Sequence, residues 1–322
     1  MAPGMTDDQP GPAVGPRRAL ARVLRWLALT VVAVFAVAFV ADRWQEILEA
    51  FARLRWEAIA TSAAFVVLGL LASVCSWRAV LGGLGSTLPV LASGRVYFLG
   101  QLGKYVPGSV WPVLAQAELS KEYGVPRARS ASAALTNLLV SAVVGTVVAA
   151  GALASSSADA LRTYWWLLPV GAAGAVVLVP AVFNRILALA FRMMRRPAPQ
   201  PLRGRPLARS MAWSLVMWAA FGAHLWTLCA GIGITLSAST WLLATGAYAL
   251  AWVTGFVVVV LPAGAGAREA ALTLALASVL SPADALMLAL VSRVLMLAGD
   301  FGLAGAAVLA ARRRRSRIMP AD

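Results

Sequence analysis

Two short segments gather the residue types able to do chemistry. One reads Gly103-Lys104-Tyr105-Val106-Pro107-Gly108-Ser109-Val110-Trp111, the other Pro262-Ala263-Gly264-Ala265-Gly266-Ala267-Arg268-Glu269. Each breaks a long apolar block with Pro and Gly and places a cation at the break. Pro removes a backbone donor and Gly permits a sharp reversal, so main-chain groups are freed from the helical ladder. At membrane depth, irregular backbone is tolerated only where it is buried in protein or lines a wet cavity. Free N–H groups where the next helix starts, with Arg268 in its first turns, have the chemistry of an anion site. Charge inside a bilayer costs about 2.5–3.5 kcal/mol per residue on insertion scales and marks a functional candidate by default.

The candidate binding residues are therefore Lys104, Tyr105, Pro107, Gly108 and Trp111 at the first break, and Pro262, Gly264, Gly266, Arg268 and Glu269 at the second. A structural reading stands beside each. Lys104 either faces a ligand or snorkels to the headgroups, and Arg268 either holds an anion or pairs with Glu269 or a neighbour to shape the hairpin. Arg293 and Asp300 are seven apart on the last apolar block, hence on one face but about 10 Å apart along the axis. Each needs a partner elsewhere, Glu269 being the natural one for Arg293, and both read as supporting residues. His224, the only histidine, has no Cys, Asp or Glu at ligand spacing and reads as a packed core residue. No catalytic constellation, metal set or cofactor motif emerges, and no Walker motif is present, so the expectation is a protein that is not an enzyme and uses no cofactor.

The elements that must position these residues are membrane helices. Sixty-one per cent of the 322 residues are apolar, 13% are charged and the mean hydropathy is +0.79. A soluble protein carries about 25% charged residues, so soluble enzymes, nucleic-acid-binding modules and disulfide scaffolds are excluded. The net charge of +15 comes from 28 basic residues, 26 of them Arg, against 13 acidic ones, the Arg mostly in short runs beside apolar blocks, as the positive-inside rule predicts. No nucleic-acid partner follows from it. Cys75 and Cys229 lie within apolar helices and read as small hydrophobes. Tryptophans 26, 44, 56, 77, 165 and 241 read as interface anchors.

Spans are predicted at 26–41, 58–77, 131–153, 164–183, 211–231 and 283–311, the Ser141/Gly145/Ala149 spacing suiting close helix packing. Two broken blocks, 87–120 and 241–280, are each read as a re-entrant hairpin. A charged segment at 42–57, a polar loop at 155–163 and an exposed Arg/Pro-rich loop at 184–209 separate the blocks. Shifting the first half by 155 residues carries Pro107 onto Pro262, 87–105 onto 242–260 and 131–153 onto 286–308. The fold expected is an all-α polytopic membrane protein, an inverted repeat of three spans plus one re-entrant helical hairpin per half (six full spans, seven or eight by hydropathy count). Its domain limits are a disordered tail at 1–19, one transmembrane domain at 20–311 with halves at about 20–153 and 164–311, and a basic tail at 312–322. With both termini cytoplasmic, the inner side holds 22 of the 28 basic residues. Such paired interruptions are the sequence pointer to a repeat-built transporter with its site at the breaks.

At these two motifs the chain resembles the lysylphosphatidylglycerol synthase transmembrane, or flippase-like, family. The resemblance runs over roughly residues 20–311 and includes the context of Arg293. One departure is Pro262-Ala263-Gly264 where members commonly have Pro-Gly-Gly, which bears on turn geometry. Larger members join this unit to a soluble aminoacyl-transferase domain, and since this chain stops just after Arg312–Arg315, the resemblance implies the membrane unit without that domain. It also implies a multi-pass protein of a bacterial inner membrane type, working on a membrane lipid head group within the lipid bilayer. The expected function is movement of a phospholipid or polyprenyl-linked lipid between leaflets. Two rivals remain at this level: a membrane-embedded lipid-linked glycosyltransferase, using Asp42, Glu46 and Glu49 after the first span, and an accessory scaffold for a cell-envelope enzyme partner.

Overall fold

Every described element of the computed structural model is helical. The chain divides into two compact units, Met1–Arg43 and Trp44–Asp322, and the structure describes residues 41, 44–106, 110–193, 195, 200–257, 264 and 266–318. All that follows concerns the second unit. The span expected at 26–41 (all but its last residue), the tail at 1–19 and the last four residues lie outside the described residues, as do Pro107, Gly108 and Pro262.

Twelve α-helices follow in order: α1 (Trp44–Arg53), α2 (Trp56–Gly83), α3 (Val90–Gln101), α4 (Trp111–Lys121), α5 (Arg127–Ser156), α6 (Ala158–Tyr164), α7 (Leu167–Val177), α8 (Pro180–Met193), α9 (Gly204–Gly231), α10 (Ala238–Val257), α11 (Ala267–Leu276) and α12 (Pro282–Ile318). A 3₁₀ turn at Leu102–Tyr105 extends α3. Five of them (α2, α5, α9, α10 and α12) are long and apolar enough to cross a membrane, and the bent pair α7–α8 makes a sixth if it counts as one span. The protein is an all-α, multi-pass membrane protein.

The centre is built by α2 against α9 and by α5 against α10. Small residues set these approaches. A Cβ on Gly145 of α5 would lie 2.6 Å from the Trp218 ring of α9, and the same indole donates to the Ser141 carbonyl at 3.2 Å. The 141/145/149 stripe read from the sequence is thus a notch for one tryptophan. Between α2, α5 and α9 the Ser76 hydroxyl bonds the Asn137 side-chain amide oxygen Oδ1 (2.8 Å), the Ser210 hydroxyl (2.9 Å) and the Ser214 hydroxyl (3.1 Å). Polar contacts of this kind glue helices where lipid offers no hydrophobic drive between them.

Both broken blocks form helical pairs. At the first, α3 and α4 are 12 and 11 residues long, about 18 Å each at 1.5 Å per residue, too short to cross. At the second the arms are unequal: α10 has 20 residues and α11 only 10. Glycine allows the arms to close on each other. A Cβ on Gly103 would lie 2.8 Å from the Pro112 nitrogen, and one on Gly264 would lie 2.7 Å from the Gly255 Cα. Gly264 also has φ +68°, a left-handed conformation that costs an L-residue about 1–2 kcal/mol. Gly264→Ala is therefore expected to lower the thermal unfolding midpoint in detergent by several degrees, whereas Gly302→Ala on α12, with open space around it, should leave it unchanged.

The element order repeats. The shift of 155 residues carries 111–121 onto 266–276, where α11 is found, and 127–156 onto 282–311, where α12 begins. Three sequence expectations need correction, the first being the polar loop at 155–163, most of which is helix α6. The span at 164–183 is not one helix: α7 ends at Val177 and α8 leaves at 90°, because Pro180 lacks an N–H and its ring clashes with the carbonyl four residues back. The 184–209 segment is not all loop, since α8 runs on to Met193 and α9 starts at Gly204. The α8 stripe Phe183, Leu187 and Phe191 is buried, and the Asn184 amide pins the connection by bonding both the Leu202 N–H and its carbonyl, at 2.9 and 3.0 Å. Arg53 of α1 and Asp284 of α12 meet at 2.5 Å.

Candidate functional site

The two hairpins meet at one cavity of about 270 Å³. From the first come Gln101, Lys104, Tyr105 and Gln116; from the second, Gly264 and Arg268; from α12, Arg293 and Asp300. Trp77 of α2 and Asn137 of α5 form part of the wall. Of the residues singled out in the sequence, Lys104, Tyr105, Gly264, Arg268, Arg293 and Asp300 line this space. Gly266, Glu269 and Trp111 do not. Trp111 opens α4 with its side chain about half exposed, and its main chain is what Gly103 closes on.

Each hairpin is tied to α12 by an ion pair of opposite polarity. Lys104 Nζ lies 2.5 Å from Asp300 Oδ2, and the Tyr105 hydroxyl donates to the same oxygen at 2.6 Å. The Tyr105 ring stacks on Phe301 with 5.8 Å between centroids. Asp300 is 1% exposed, so Lys104 is turned inward and does not snorkel. Two turns earlier, Arg293 Nη1 reaches Glu269 Oε1 at 2.5 Å, while the other oxygen of Glu269 accepts the Gly266 N–H at 2.6 Å. Glu269 thereby caps α11 from within its own first turn and braces it against α12. The pair is partly buried, so breaking it strands a charge at a cost below the roughly 3–5 kcal/mol of a fully buried pair.

Arg268 is different. Its guanidinium bonds the Tyr248 hydroxyl and sits 4.7 Å from the Tyr248 ring centroid, a cation–π contact that orients the group without neutralising it. Among the described residues Arg268 makes no ion pair. Behind it, His224 is fully buried, with Ser62 at 2.5 Å on Nδ1, Ser292 at 2.8 Å on Nε2 and the Tyr248 ring against its face. Both ring nitrogens are satisfied, as the packed-core reading expects.

At the far end of the first hairpin, Arg95 pairs with Glu122 and Tyr123. There Arg127, with help from Lys121, holds the Glu118 carboxyl below the usual carboxylate range. Among the described residues no three His, Cys, Asp or Glu side chains cluster to hold a metal ion.

Sequence reasoning took Trp77 for an interface anchor, whereas it is fully buried in the cavity wall, and it missed Gln116 and Asn137. The last two did carry a signal, being amides within largely apolar segments at membrane depth. A family model described as "Lysylphosphatidylglycerol synthase TM region" matches residues 25–304. No curated protein matches the chain.

Proposed function

This chain belongs to the lysylphosphatidylglycerol synthase transmembrane family, a membership that points to work on membrane lipids, and from it we propose a transporter that moves a phosphate-bearing lipid between leaflets without chemical change. One observation carries the reading: Arg268 is a cavity-lining cation with no carboxylate partner among the described residues. A lone guanidinium at membrane depth is costly unless an anion comes to it, and a guanidinium matches phosphate bidentately. The other two cavity cations are already neutralised, by Asp300 and by Glu269.

In the proposed cycle the head group enters the cavity and sets its phosphate on Arg268. The acyl chains stay in the bilayer beside the hairpins. The two halves, whose inverted relation the charge asymmetry of the sequence supports, then rock to expose the cavity to the other side. Both termini lie in the cytoplasm of a bacterial-type inner membrane. The protein makes and breaks no covalent bond and needs no cofactor.

Reconstitution tests this directly. Liposomes carrying the protein should move fluorescent phosphodiester lipids from the inner to the outer leaflet faster than protein-free vesicles, as read by dithionite quenching. Equal rates with and without protein for every lipid class would end the transport reading.

A further inference from the structure

Between Asp159 and Glu269 the chain carries no acidic residue, yet it carries arginines at 185, 192, 195, 203, 205 and 209. All six are exposed, and among the described residues none of them meets a carboxylate. The cations at the far end of the first hairpin differ: Arg95 pairs with Glu122, and Lys121 and Arg127 both pair with Glu118. A cluster without counter-charges repels itself unless anions from outside the protein face it.

The bend at Pro180 decides where this cluster lies. α7 runs along the membrane-length helix α5: a Cβ on Gly171 would come 2.6 Å from the Ala150 Cβ, and one on Gly174 would come 3.1 Å from Val147 Cγ2. Numbers rise on one helix as they fall on the other, so the two are antiparallel neighbours. α8 leaves α7 at 90° and therefore lies across the spans, in the plane of the membrane surface. Its stripe Phe183, Leu187 and Phe191 is buried, while its outward side mixes Leu189 and Met193, 54% and 78% exposed, with Arg185 and Arg192. Apolar and cationic side chains interleaved on one face suit the boundary between acyl chains and phosphates, where the first sink and the second reach up. The start of α9 is held beside this helix by the Asn184 to Leu202 clamp, which brings the backbone at Arg185 and Arg203 together.

We propose that α8 and the first turns of α9 form a docking surface for anionic phospholipid head groups of the leaflet against which α8 lies. The bend sets the cluster at bilayer level, so these head groups are the anions already next to it. No residue of α8 and none of the six arginines lines the cavity, so the surface is separate from the site of Arg268 and stands whether or not the protein moves lipid.

The test titrates the detergent-purified full chain with phosphatidylglycerol or phosphatidylcholine and counts bound lipids by native mass spectrometry. Arg268→Gln serves as the background, which takes the unpaired cation of the cavity out of the comparison. In it phosphatidylglycerol should bind about tenfold more tightly than phosphatidylcholine, and the gap should shrink as salt rises. Arg185→Gln, Arg192→Gln, Arg203→Gln and Arg205→Gln combined break no ion pair among the described residues, so the thermal midpoint should hold while the gap closes to about twofold or less. The same four positions changed to Lys should keep most of the gap, since attraction to a charged surface needs charge rather than the guanidinium fork. Equal affinity for the two lipids in the Arg268→Gln background would overturn the proposal, as would a preference that survives the fourfold change to Gln. Should that variant fail to fold, the salt series and the Lys variant decide: a gap that salt leaves unchanged, or that Lys abolishes, overturns it equally.

Discussion

Arg268→Gln is expected to reduce lipid movement by about 10- to 100-fold while the fold survives. The size follows from the loss of a charge-assisted hydrogen bond, about 1.5–3 kcal/mol. The survival follows from what Arg268 does not do. It neutralises no carboxylate among the described residues, so its removal strands no opposite charge. What is lost inside the protein is its contact with the Tyr248 hydroxyl and ring, about 1 kcal/mol. Liposome rates and thermal midpoints should therefore part company: a large fall in the first, a small one in the second. Arg268→Lys keeps the charge but not the fork, and should recover only part of the rate. A variant that moves lipid at the wild-type rate would remove Arg268 from the mechanism.

Asp300→Ala should do the reverse and strike stability first. Its carboxylate is buried and holds both Lys104 and Tyr105, so truncation leaves an ammonium unpaired at membrane depth, at about 3–5 kcal/mol. The unfolding midpoint in detergent is expected to drop by about 5–10 °C, on the order of what a loss of that size produces in a protein of this length. Removing both charges, as Lys104→Met with Asp300→Leu, should restore most of the midpoint, since well-packed apolar pairs commonly equal or exceed a buried ion pair. Transport should not return with it. If the double variant is no more stable than Asp300→Ala, the pair is not what holds the first hairpin to α12.

What the sequence revealed and what it hid divide along physical lines. Glu269 could be named as the partner of Arg293 because both motifs lie in one half and Glu269 is the only carboxylate at that hairpin. The partner of Asp300 could not, because Lys104 stands 196 positions away in the other half, and spacing along one helix says nothing about which helix comes to face it. The hairpins were legible in Pro107-Gly108 and Pro262 because backbone breaks are local. Their inequality was not, since hydropathy treats Ala238–Val257 as it would any membrane-length block. The 90° turn at Pro180 was passed over for a similar reason: a window average over 164–183 weighs one proline as one residue, whereas sterically it ends the helix. The cavity wall was hidden for a different reason. Trp77, Gln116 and Asn137 belong to no motif, and only three-dimensional convergence gives them a common purpose.

The two ties to α12 have a mechanical consequence. Arg293 and Asp300 project from the same side of one rod, about two turns apart. A twist or a slide of that rod pulls on both hairpins at once, like a crank with two throws. One gate cannot swing wide while the other stays seated without tearing an ion pair from its slot. Both hairpins are thus linked through α12 into one moving unit, and any displacement at one is felt at the other.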